Sequence, residues 1–322
     1  MNRIPTLALA VAALALAPAL SQAQAFPDKP ITFVVPFAAG TATDQIARAI
    51  GNGVTAETKQ SVVIDNRAGA SGFIASQYAA KAPADGYTVL ITTNTTHAAN
   101  EHLYKKLPYD PVKDFAPITG LGKGGQIMVV NPSFPAKTVA EFIALAKKEP
   151  GKYSFGSGSS SSRMAGELLQ QMADIQLLHV PYKSNTLAVT DLLGNQIHMM
   201  ITDTTTGLPQ VKSGKLRALG MSSAARSPLA PDVPTIAEAG VKGYEMGYWF
   251  AAYAPAKTPP AVVKRLNELL VKAAKSEAAK AAFYQPTGTE VFTTTPEEMA
   301  KFQTAESQKW GRIVKAAGIE AE

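Results

Sequence analysis

Residues 31–44 read Ile31-Thr32-Phe33-Val34-Val35-Pro36-Phe37-Ala38-Ala39-Gly40-Thr41-Ala42-Thr43-Asp44. The first five form the near-continuous apolar run required of a strand buried on both faces. Beyond the turn, Ile46, Ile50 and Val54 recur at helical spacing. Gly40 permits a tight turn, its small neighbours let another molecule approach the main chain, and Thr41 with Asp44 fits a capping box at the helix start. Strand, loop and helix in this order open an α/β fold.

The unit repeats outward. Val62-Val63-Ile64 reads as a second strand, Phe73 to Ala82 as a helix, Asp85-Gly86 as a turn and Tyr87 to Thr92 as a third strand. Thr138 and Glu141 form a capping box for a helix through Lys148, followed by a strand at Tyr153-Ser154-Phe155. Strands at Leu177 to Tyr182, Ile197 to Thr202 and Leu216 to Ser222 alternate with helices beginning near Ser162, Ser184 and Thr204, which predicts a mostly parallel sheet. The C-terminal part is helical instead: Thr258-Pro259 and Thr295-Pro296 read as N-caps followed by proline, opening helices that end near Lys275 and Ala317. Gly120 to Val130 and Tyr244 to Pro255 are extended runs that read as two crossings between lobes. Two crossings predict a discontinuous lobe of residues 26–123 and 248–322 and an inserted lobe of residues 124–247, hinged over a ligand cleft.

Residues 1–25 carry Arg3, an apolar run from Leu7 to Leu20, and Ala23-Gln24-Ala25, which predicts an export signal cleaved before Phe26. The run is shorter than the roughly 20 residues of a membrane span, so a soluble mature protein is expected. There is no cysteine, which excludes disulfides, a thiol nucleophile and a lipid-modified N-terminal cysteine. The formal net charge is +6, but the basic residues are scattered, as at Lys105-Lys106 and Lys147-Lys148, without a stripe of stacking aromatics. That pattern argues against a nucleic-acid partner and suits long-range steering of anions. The protein is read as a monomer.

Two loops carry the candidate site. In the first, Phe37, Ala38, Ala39, Gly40, Thr41, Ala42, Thr43 and Asp44 bring a helix N-terminus, with its free N–H groups and partial positive charge, to the cleft. An ordinary strand-to-helix connection is the competing reading. In the second, Gly156, Ser157, Gly158, Ser159, Ser160, Ser161 and Ser162 repeat the device before a helix carrying Met164, Leu168 and Met172, and Arg163 could add a forked contact to a carboxylate. A flexible linker competes there, although linkers seldom separate a strand from its helix. Asp203 follows a strand, at the end where α/β sheets bind ligands; a helix cap is the alternative. His97 occupies a similar strand end and reads more readily as structural.

Enzymatic machinery is not visible. Gly120-Leu121-Gly122-Lys123-Gly124-Gly125 matches G-x-G-x-x-G, yet it precedes a strand where a dinucleotide fingerprint must follow one. No G-x-S-x-G elbow surrounds the serines, and His97, His102, His179 and His198 make no metal pattern. A hydrolase using the serine cluster would need a base that the sequence does not position. No cofactor and no metal are expected.

Further motifs stand in order along the chain: Asp65-Asn66-Arg67-Ala68-Gly69-Ala70, Pro83-Ala84-Asp85-Gly86-Tyr87, Leu107-Pro108-Tyr109-Asp110, Asp114-Phe115-Ala116-Pro117-Ile118, His179-Val180-Pro181-Tyr182-Lys183 and Pro231 to Gly240. With the opening strand, Gly40 and Asp44, they resemble the Bug-type extracytoplasmic solute-binding receptors of tripartite tricarboxylate transporters. The resemblance implies a two-lobed type II periplasmic binding protein fold, a Venus flytrap. It further implies a small carboxylate ligand held largely by main-chain groups and waters from loops 37–44 and 156–162. The implied partners are inner-membrane transporter subunits; a receptor that reports to a signalling kinase would use the same cleft. The chain departs from the family pattern at Thr41, where a second glycine is common, and at Arg163, where histidine is frequent.

Overall fold

The computed structural model describes residues 26–316 and 318–321. The export signal expected over residues 1–25 lies outside the described residues. The strands are β1 (Ile31–Val35), β2 (Val62–Asn66), β3 (Thr88–Thr93), β4 (Phe115–Val130), β5 (Ser154–Ser157), β6 (Leu178–Pro181), β7 (Met199–Asp203), β8 (Arg217–Met221), β9 (Gly247–Pro255) and β10 (Glu290–Val291). Around them pack α1 (Ala42–Thr58), α2 (Phe73–Ala80), α3 (Asn100–Leu103), α4 (Val139–Lys148), α5 (Ser160–Ala173), α6 (Asn185–Leu193), α7 (Thr204–Lys212), α8 (Pro260–Lys275) and a long C-terminal helix, Pro296–Ala316.

The strands run in the order β2-β1-β3-β9-β4-β7-β5-β6, with β8 and β10 paired to β4. Pairs β1–β2, β1–β3, β5–β6 and β5–β7 are parallel, as the strand-helix alternation predicts. Every pair made by β4 or β9 is antiparallel, so the sheet is mixed rather than mostly parallel. The physical reason is the crossing itself: one strand leaves the first half and the other returns to it, side by side and in opposite directions. β4 pairs with β9 over 115–125 and with β7 and β8 over 126–130, changing partners between Gly125 and Gln126. The result is two α/β halves joined by two long strands, with a cleft between them.

Each half has a core. Ile46, Ile50 and Val54 of α1 are buried with Leu266, Leu269 and Leu270 of α8 against β1, β3 and β9. In the second half, Ala188, Val189 and Leu192 of α6 cover Ile127, Val129 and Met200. A third cluster runs from one half into the other beneath α2, α4, α5 and the C-terminal helix, and includes Phe142, Phe155, Tyr253 and Trp310. Full burial of one such aliphatic side chain stabilises by about 1.5–3 kcal/mol.

Helix starts test the capping readings. Thr138 Oγ1 accepts from the Glu141 N–H at 3.1 Å, and Thr295 with Glu298 forms a reciprocal box at 3.2 and 2.8 Å. The box expected of Thr41 and Asp44 does not form, because Thr41 Oγ1 donates back to the Ala38 carbonyl and Asp44 is drawn away by Arg48. At α8 the cap is Pro259 rather than Thr258, so proline occupies both the cap and the first helical position.

Candidate functional site

The cleft is one space in two chambers that share Phe37, Gly158 and Ser159. The inner chamber is tight, with a cavity volume of about 50 Å³. The outer chamber is much roomier, at about 400 Å³.

At the β1–α1 turn a buried carboxylate organises the backbone. Asp44 Oδ2 accepts from the Gly40 N–H at 2.9 Å and from Arg48 Nε at 3.0 Å; Asp44 Oδ1 accepts from Arg48 Nη2 and Asn66 Nδ2, each at 3.0 Å. Burial pushes this carboxyl upward, but the bonds from Arg48, Gly40 and Asn66 together bring it below the usual aspartate range. Asp44 is therefore ionised, and its charge is met by Arg48. The α1 N-terminus, with Asp44 in its first turn, brings Thr41, Ala42 and Thr43 to the inner chamber beside Phe37.

At the β5–α5 turn the work is done by neutral groups. Ser159 Oγ accepts from the Ser162 N–H at 3.2 Å, which caps α5, and the Ser162 hydroxyl donates to the Ile201 carbonyl. Gly158 N–H donates to Asn185 Oδ1 at 2.9 Å, Asn185 Nδ2 to Asp203 Oδ2 at 3.1 Å, and the Thr206 N–H to Asp203 Oδ1 at 2.9 Å. This chain ties the N-termini of α5, α6 and α7 together, and all three open on the inner chamber through Ser159, Asn185 and Thr206. Gly158 is required here: a Cβ would lie 1.8 Å from the Ser184 carbonyl carbon. Across the cleft, Ser160 Oγ donates to Asn100 Oδ1 at 2.9 Å.

The sequence-predicted residues divide accordingly. Phe37, Thr41, Ala42, Thr43, Gly158, Ser159, Ser161 and Asp203 line the inner chamber. Ser157, Ser160 and Arg163 line the outer one, where Arg163 pairs with Glu167 at 3.7 Å. Ala38, Ala39, Gly40, Asp44, Gly156 and Ser162 line neither; they shape the turns. Asp203 is indeed a helix cap, of α7, and also faces the chamber. His97 is fully buried behind the site, stacked on Tyr253 at 4.0 Å with Nδ1 2.8 Å from Thr96 Oγ1, and burial pushes it down to about 3.

Sequence reasoning missed Thr93, Asn94, Thr95, Gln126 and Asn185 on the inner wall, and Tyr104, His179 and Lys183 on the outer. It also missed the contact of Ser157 Oγ with His179 Nε2 at 2.7 Å, which joins the ends of β5 and β6. One signal was present: Gln126 interrupts an apolar strand, and Thr92-Thr93-Asn94-Thr95-Thr96 is polar yet ends a buried one. Among the described residues, no three His, Asp or Glu side chains gather to hold a metal ion. No described helix is long and apolar enough to cross a membrane.

Comparison with known proteins fits this geometry. Residues 46–319 match the model of the tripartite tricarboxylate transporter family receptor. A Pseudomonas protein named for the tcbD–tcbE intergenic region is 38% identical over 312 residues, 95% of this chain and 92% of its own length. Rpa4515 of R. palustris, solved with adipate, is 35% identical and superposes with a TM-score of 0.89 over 92% of this chain and 100% of its own. The periplasmic binding protein BugD is 32% identical, with a TM-score of 0.87 over 92% of this chain and 100% of its own. The fold, the facing helix N-termini and these matches place the chain in the tripartite tricarboxylate transporter receptor family.

Proposed function

We propose that this protein is a periplasmic receptor that captures a small carboxylate between its lobes, closes over it, and presents the closed form to membrane subunits of a tripartite transporter. The lobes are residues 26–123 with 248–322, and residues 124–247; the partner change along β4 supports this division. The observation that carries the reading is the inner chamber, where the N-termini of α1 and α5 face one space from opposite halves of the fold. Among the residues lining that chamber none is lysine or arginine, so an anion there would be held by N–H groups, hydroxyls and helix dipoles. The carboxylate contacts are assigned to Thr41, Ala42 and Thr43 on one side and Ser159 and Ser161 on the other, with Asp203 and Arg163 as orienting neighbours. Adipate in Rpa4515 supports the ligand class, and BugD supports the compartment.

No catalytic role is proposed. The serine hydroxyls are engaged as caps and ties, as at Ser159, Ser160 and Ser162. The test is thermal unfolding of the chain from Phe26, refolded to strip carried ligand, against carboxylates, amides and sugars. A binder at 100 times its Kd should stabilise by about 2.7 kcal/mol, a shift of several degrees. A response to carboxylates alone supports the reading; a response only to sugars or amides without a carboxylate sinks it.

A further inference from the structure

The inner chamber contains acceptors with nothing to accept. Asn94 and Gln126, 0% and 1% exposed, both line it, and neither Asn94 Oδ1 nor Gln126 Oε1 has a hydrogen-bond partner among the described residues. Thr95 Oγ1, also buried and lining the chamber, is unpartnered too. Leaving such a group unpaired is costly, and native structures seldom tolerate it without a reason. The orientation of Asn94 is fixed, because its Nδ2 donates to the Gly247 carbonyl at 3.2 Å and a flipped amide would set two carbonyl oxygens against each other. Gln126 sits in β4, where its main-chain N–H donates to Ser222 Oγ at 2.6 Å.

An amide oxygen only accepts. The charged side chain beside them in the chamber is Asp203, whose oxygens already accept from Asn185 and Thr206. Arg163, His179 and Lys183 line only the outer chamber. A second carboxylate against this wall would face the Asn94 and Gln126 oxygens and the charge of Asp203. We infer that the ligand carries a hydrogen-bond donor, an amine, amide or hydroxyl, at the end away from its carboxylate. This rests on the carboxylate-receptor reading and narrows it: the chain selects donor-tipped acids over simple diacids or fatty acids of the same length.

The test is calorimetric titration of the stripped protein with acids of matched length: pentanoate, 5-hydroxypentanoate, 5-aminopentanoate, 5-amino-5-oxopentanoate and glutarate, and their four- and six-carbon counterparts. The best donor-tipped acid should bind about ten-fold or more tightly than both its methyl-tipped and its carboxylate-tipped counterpart. Which tip wins identifies the donor. Gln126→Met, close in shape but without the acceptor, should erase most of that preference, and an unfolding midpoint close to the parent protein's shows that the variant folds. Pentanoate or glutarate binding as tightly as every donor-tipped acid overturns the inference while leaving the receptor reading standing. So does a preference that survives in both Gln126→Met and Asn94→Leu. Failure of every acid in the series, with binding of non-acids, removes the receptor reading and this inference with it.

Discussion

At the β1–α1 turn one buried carboxylate, Asp44, gathers the Gly40 N–H, Arg48 and Asn66. At the β5–α5 turn, across the cleft, hydroxyls and an asparagine do the equivalent work, and they bind outward: to Ile201, to Asn185 and, across the cleft, to Asn100. Both turns present a helix N-terminus to the same chamber. The first stays within its own half, tied to Arg48 of α1 and Asn66 of β2, so its charge serves the scaffold and is balanced before a ligand arrives. The second is woven into α6, α7 and the opposite half, so a disturbance there should spread.

The sharpest way to break this contrast is a pair of glycine substitutions. Gly158→Ala forces a Cβ to within 1.8 Å of the Ser184 carbonyl carbon and 2.1 Å of the Asn185 nitrogen. Backbone must move, and a loss of about 3 kcal/mol in denaturant unfolding is expected. Gly40→Ala meets no atom within 4 Å and carries only the strain of φ +83°, about 1 kcal/mol. Equal costs at the two positions would contradict the difference drawn between the turns.

Next in size is the charge itself. Asp44→Asn should cost about 2 kcal/mol, the scale of charge-assisted bonds lost at a buried carboxylate, whereas Ser159→Ala should cost about 1 kcal/mol as an ordinary cap. Chemical denaturation of both variants tests the ranking, and a neutral Asp44→Asn would remove the scaffold role. The pH axis separates this effect from a smaller one behind the cleft. The Asp44 carboxyl is lowered from 3.8, so its contribution is present above that value and fades as pH falls through its folded value. His97 is lowered from 6.5 to about 3. The unfolded chain therefore takes up a proton between those values that the folded protein refuses, and stability falls by about 1.4 kcal/mol per pH unit below 6.5. His97→Gln should flatten that slope between pH 6.5 and 4.5 in a pH series of unfolding curves; an unchanged slope would assign it to other groups.

Much of this architecture was legible locally. Val34 and Val35 in an apolar run, the Ile46, Ile50 and Val54 spacing, and the Thr138–Glu141 and Thr295–Glu298 boxes are short-range signals, and the structure forms all of them. The two cleft loops were legible for the same reason: a small-residue turn between strand and helix is a local motif. The misread capping box shows the limit. Thr41 and Asp44 have the right spacing, but Asn66 and Arg48 compete for the carboxylate, and Asn66 lies on another strand. The inner wall was hidden more deeply. Asn94, Gln126 and Asn185 meet only because β3, β4 and α6 converge, and no spacing rule relates residues so far apart. What the sequence did show was polarity where burial was expected, at Asn94 and Gln126, without saying what would satisfy it.

The account stands on closure of two halves over an anion. Small-angle scattering of the stripped protein, alone and saturated with the tightest carboxylate from the thermal screen, tests it most directly. The account predicts a smaller radius of gyration when the acid is bound; an unchanged radius with the acid demonstrably bound would contradict it.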